Sequence, residues 1–111
     1  MADFNIQSEI TTDDTGANGV RDARFSDWET VIAPVNHVIN RDTVSSVELS
    51  GNGDEHRAEI VYDEWVEIVP NTGLQFPRKI SVRTYALGPS GHWAGRGWAK
   101  YAVSGNFVKY H

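Results

Sequence analysis

Residues 4–11 alternate strictly, with Phe4, Ile6 and Ile10 on one side and Asn5, Gln7, Glu9 and Thr11 on the other. A period of two is the signature of a half-buried strand. Asp13 to Gly19 then reads as a loop on its turn chemistry. Around residues 26–33 the pattern admits at most one short helix. Ser26-Asp27-Trp28-Glu29 has the spacing of a capping box, and Phe25, Trp28 and Ile32 share one helical face before Pro34 ends it. The β-branched run Thr30-Val31-Ile32 leaves a strand as the alternative. Residues 35–39 and 43–50 predict two further strands, the second closed by Gly51-Asn52-Gly53-Asp54.

Two long alternating segments, 55–69 and 74–87, flank the turn-rich link Val69 to Gly73. Their patterns lock together when Ile68 stands opposite Leu74. One face then pairs Val66 with Phe76, Tyr62 with Ile80, Ile60 with Val82 and Ala58 with Thr84. The other pairs Glu67 with Gln75, Asp63 with Lys79 and Glu59 with Arg83. A slip of one residue sends every side chain to the wrong face, so the match specifies a hairpin register.

At the C-terminus, Trp98–Val103 and Phe107–Tyr110 read as two strands about a Gly105-Asn106 turn, setting Val103 against Val108 and Tyr101 against Tyr110. With no long helix and no internal repeat, the expectation is an all-β chain: a small antiparallel β-sandwich or barrel of six to eight strands, forming a single domain over 1–111.

Composition narrows the classes. The chain has 111 residues, 40% hydrophobic and 23% charged, with no cysteine. Disulfide scaffolds, thiolate metal sites and cysteine nucleophiles are excluded together. No apolar run approaches the ~20 residues of a membrane-spanning helix. MADFNIQSEI lacks the basic-then-apolar layout of a signal peptide, so a soluble protein made in the cytoplasm is expected. There is no N-x-[ST] glycosylation acceptor.

Charge is split along the chain. All fifteen acids lie at or before Glu67, against four basic residues there, whereas residues 68–111 hold six basic residues, no acid and seven of the twelve aromatics. Basic side chains interleaved with aromatics suit single-stranded nucleic acid or acidic glycans. The plainer account is that the two parts pair in the fold, as the 55–87 hairpin already does with Asp63–Lys79 and Glu59–Arg83. That hairpin leaves one polar couple on its inner face, Glu64 opposite Arg78. It is either a structural ion pair or part of a site, because desolvating either group alone costs several kcal/mol.

The segment Gly88 to Gly97 carries the most distinctive chemistry. Four glycines make its backbone permissive, and Ser90, His92, Trp93 and Arg96 lie within it, with Trp98 just beyond. An indole stacks on the CH face of a sugar while arginine, histidine and serine hydrogen-bond to hydroxyls. The competing reading is that Trp93 folds inward to plug one end of the sandwich. Metal binding has little support, since His37, His56, His92 and His111 show no ligand spacing. The stretch Asp14 to Gly19 shares part of a calcium-loop spacing but lacks the second acid and has Phe25 at the twelfth position. No nucleophile elbow, zinc-protease motif, phosphate loop or dinucleotide fingerprint occurs.

The leading expectation is a non-catalytic, lectin-like module without cofactor or metal. It would recognise a carbohydrate, acidic glycans included, through Ser90, His92, Trp93, Arg96 and Trp98, as a homo-oligomer. The alternatives are a structural or protein-interaction subunit, a single-stranded nucleic-acid binder using the basic C-terminal part, and a small barrel enzyme whose interior is lined by Tyr62, Glu64 and Arg78.

Overall fold

A computed structural model describes residues 1–52 and 55–110. Among them run seven strands: β1 (Phe4–Thr11), β2 (Ala23–Phe25), β3 (Glu29–Ile32), β4 (His37–Asn52), β5 (Glu55–Glu67), β6 (Gln75–Leu87) and β7 (Trp98–Lys109). They form two antiparallel sheets. The first has the order β1-β7-β4. In the second, β6 is central, with β5 on one edge and β2 and β3 end to end along the other. The turn positions Gly53 and Asp54, and His111, lie outside the described residues.

The β5–β6 hairpin takes the register its pattern demands, with Val66 opposite Phe76, Tyr62 opposite Ile80, Ile60 opposite Val82 and Asp63 opposite Lys79. Its inner face meets that of the first sheet. Ile80 and Val82 from β6 pack with Phe4 and Ile6 of β1, Ile39 of β4 and Val103 of β7, flanked by Val31, Ile60, Tyr62 and Phe107. The alternation read over residues 4–11 is the burial pattern of β1.

Three local expectations are corrected. Residues 29–32 take the strand alternative rather than the helix. The Ser26 hydroxyl, instead of capping a helix, accepts from the Thr84 amide at 2.8 Å and lies 2.9 Å from Ser8 Oγ. Phe25, Trp28 and Ile32 do share a face, but it is the solvent face of the second sheet, where Phe25 stands opposite Tyr85 and Ile32 opposite Lys79.

The C-terminal hairpin does not form, and β7 runs straight through Gly105-Asn106. Gly105 serves close packing rather than a turn: it stands opposite Phe4, and a Cβ there would lie 2.9 Å from Phe4 Cζ and 3.0 Å from Val44 Cγ2. The strands expected at 35–39 and 43–50 fuse into β4. A register shift between Asn40 and Ser45 marks the join, where Thr43 Oγ1 donates to Asn40 O and accepts from the Asn106 amide. This bulge sends Arg41 over the rings of Tyr62 and Trp65, at 5.8 and 5.0 Å.

The molecule is a thin plate of 60 × 27 × 18 Å with a radius of gyration of 17.6 Å. A compact chain of this length has about 13 Å. Among the described residues, no helix is long and apolar enough to cross a membrane.

Candidate functional site

The Gly88–Gly97 link joins β6 to β7 and is sewn to the loop after β1. Thr15 and Gly95 form an isolated bridge, with the Thr15 amide 2.8 Å from Gly95 O. The Thr12 amide donates to Gly97 O, and the Gly97 amide returns a bond to Thr12 Oγ1, each at 2.8 Å. Thr15 Oγ1 donates to Pro89 O at 2.7 Å, and both threonines are fully buried. Gly88 adds two more links, from its amide to Asp22 O and from Arg21 Nε to its carbonyl. Two loops far apart in sequence thus form one rigid end of the sandwich.

Trp93 lies on that end at 76% exposure, so it does not plug the sandwich. Its φ of +57° is in the left-handed region, a conformation that costs a non-glycine residue about 1–3 kcal/mol and persists only when its surroundings enforce it. Here the Trp93 amide donates to Gly16 O at 3.0 Å, and His92 Nδ1 donates to Ala17 O at 2.6 Å. These two bonds hold the indole outward beside an open cleft of about 610 Å³ lined by Asp13, Asp14, Asn18, Arg21, Asp22 and Trp93 among others.

The cleft's charges are largely matched. Arg24 reaches Asp13 Oδ2 with Nη2 at 2.6 Å and Asp22 Oδ2 with Nε at 2.7 Å. Asp22 also accepts from the Asp13 amide at 2.7 Å. That backbone bond, followed by the Arg24 guanidinium, holds the Asp22 carboxyl below the usual carboxylate range. Arg96 Nε lies 3.7 Å from Asp14.

Of the five residues expected to bind, only Trp93 lines this cleft. His92 fastens the two loops, Arg96 sits at the rim beside Asp14, and Ser90 is exposed nearby in the same loop. Trp98 is on the outer face of the first sheet, opposite Thr11 and Asn52, with its amide bound to Asn52 Oδ1 at 2.8 Å. The aspartates and Asn18 of the 12–22 loop were not singled out by sequence for this role. The density of Asp, Asn and Gly there signalled a loop, but nothing local signalled which loop it would meet.

Glu64 and Arg78 do approach, with Nη1 3.9 Å from Oε1, but the couple is not buried. The Glu64 side chain is half exposed, and its φ of +57° interrupts the β5–β6 ladder at that pair. Arg78 turns inward instead, donating from Nη2 to Ala33 O at 3.0 Å, while its buried Nε has no partner. Tyr62, Glu64 and Arg78 therefore do not line a barrel interior.

A second polar group was missed entirely. Glu48, His56 and Tyr101 link the two sheets, with His56 Nε2 3.0 Å from Glu48 Oε1 and Nδ1 2.8 Å from the Tyr101 hydroxyl. Burial, and then the Glu48 carboxylate, push the Tyr101 phenol up. This strut lines none of the clefts described here. Comparison with protein-family models, curated proteins and solved structures finds no match.

Proposed function

We propose that the chain is a non-catalytic binding module that recognises a saccharide at the cleft between the 12–22 and 88–97 loops. The observation that carries this reading is Trp93, held outward by backbone bonds beside a polar cleft. An indole plane takes the apolar face of a pyranose ring, and Asp14, Asn18 and Asp22 supply planar acceptors and donors for its hydroxyls. The rigid seam of Thr12 and Thr15 lowers the ordering cost of binding.

The charge pattern favours a neutral saccharide over an acidic one. Arg24 and Arg96 already face Asp13, Asp22 and Asp14, and Arg21 is engaged by Gly88. The same matching weakens a nucleic-acid reading, because Arg83 is likewise held by Glu59. A second reading, an interaction or structural subunit, draws on the plate-like shape and on exposed side chains such as Phe25, Trp28, Ile32 and Val61.

A glycan-array screen of the wild type beside Asp14→Asn tests the cleft. Binding to neutral glycans that weakens in the variant supports the reading. A blank wild-type array removes it and leaves the subunit reading.

A further inference from the structure

We infer that the outer face of the second sheet is the docking surface for a second copy of this chain, so that two plates stack face to face. The inference does not depend on what the cleft binds.

Register puts Ile32, Thr30 and Phe25 from the β3 and β2 edge, Lys79, Ser81, Arg83 and Tyr85 from β6, and Asp63, Val61, Glu59 and Arg57 from β5 on this one face. Trp28 joins them, lining a shallow groove with Thr30, Val61, Asp63, Lys79 and Ser81. Phe25, Trp28, Ile32 and Val61 are each 42% to 54% exposed. The outer face of the first sheet carries Asn5, Gln7, Glu9, Thr11, Ser45, Lys100 and Ser104 between the exposed Val47, Trp98 and Val108. The second sheet sets two exposed aromatic rings, Phe25 and Trp28, beside Ile32 and Val61 around one shallow groove, and a cluster of that kind marks an interaction surface.

The face is already ordered. Arg83 lies 3.9 Å from the Phe25 ring centroid and 4.5 Å from that of Trp28, and donates from Nε to Glu59 at 2.8 Å. Arg57 stacks 4.3 Å from the Tyr85 centroid while its guanidinium reaches Glu55 and Glu59. Tryptophan, tyrosine and arginine are the residue types that dominate interface energetics, and fixing them beforehand lowers the entropy lost on association. Arg57, Arg83, Glu55 and Glu59 are satisfied within the chain, so covering these four leaves none of them without its partner.

Two features select a second copy as the occupant. The face carries four acids (Glu55, Glu59, Asp63, Glu67) and three bases (Arg57, Lys79, Arg83), a net charge of −1 in a chain of net charge −5. Identical faces of such low charge meet with less repulsion than the rest of the surface would impose. The area also fits. Three strands ~4.8 Å apart, with β6 running 13 residues at ~3.3 Å each, offer on the order of 600 Å² per copy, or about 1,200 Å² in a pair. Stable small interfaces begin at about that size.

The test is the solution mass by light scattering of the wild type, Val61→Lys and Val47→Lys. The wild type and Val47→Lys are expected at twice 12.4 kDa, and Val61→Lys at the monomer mass, with self-association weakened at least ~10-fold. A wild type that stays monomeric up to its solubility limit overturns the inference and gives the face to a different protein. So does a Val61→Lys variant that remains dimeric. If Val61→Lys fails to fold, Ile32→Lys at the more exposed edge decides in the same way. Trp93→Ala is expected to leave the mass unchanged, which keeps this outcome separate from that of the cleft.

Discussion

Glu59 and Arg83 stand opposite each other across β5 and β6, with Arg83 Nε 2.8 Å from Glu59 Oε1. The pair joins the acidic and basic parts of the chain and places two aromatic rings through the same guanidinium. Hydrogen bonding from Arg83, reinforced by Arg57, holds the Glu59 carboxyl below its ordinary 4.5. A lowered folded-state value means a stabilisation fully present above about pH 4.5 and lost as pH falls through the folded value. Glu59→Gln is therefore expected to lower Tm at pH 7, by no more than about 1 kcal/mol of stability for a cross-strand pair. The difference from the wild type should vanish in melts well below pH 4.5. An undiminished difference in acid would show that the carboxylate charge is not what stabilises.

Gly105 is expected to resist even alanine. A Cβ at 2.9 Å from Phe4 and 3.0 Å from Val44 overpacks the seam between β1, β4 and β7. Gly105→Ala should cost about 1–3 kcal/mol in denaturant unfolding. A neutral result would place the Phe4 ring elsewhere.

That glycine also shows where the sequence was legible and where it was not. The β5–β6 register could be read because two long segments carry matching apolar and charged alternations, and one slip would ruin both. Gly105-Asn106 looked like a turn because glycine freedom and a close approach leave the same mark locally; the Phe4 ring that decides between them is about a hundred residues away in sequence. Ser26 misled for a similar reason, its hydroxyl being used by Thr84 across the sheet rather than along a helix. In the candidate site, the Gly-rich loop around Trp93 stood out, whereas the aspartates of the 12–22 loop gained their place only through pairing with Gly95 and Gly97.

The Thr15 hydroxyl, fully buried and 2.7 Å from Pro89 O, is a direct measure of that pairing. Thr15→Val keeps the shape and leaves the carbonyl without this donor, which should cost about 1–3 kcal/mol. Hydrogen exchange should rise in residues 88–97 before it rises in β6. Uniform protection across both would mean the seam contributes nothing to the loop.

Glu64 is expected to be dispensable for stability. Its carboxylate lies 3.9 Å from Arg78, and its backbone takes a conformation that glycine adopts without strain. Glu64→Gly should melt at or slightly above the wild-type temperature. A clear loss would restore the ion pair as a structural element of the hairpin.

The central claim is that Trp93 is a contact residue rather than a core residue. The most direct measurement is Trp93→Ala, melted beside the wild type and titrated with the neutral saccharide that the array identifies. At 76% exposure the side chain supports little of the fold, so Tm should hold while saccharide binding is lost. A collapse in Tm, or binding that survives the substitution intact, would contradict the account.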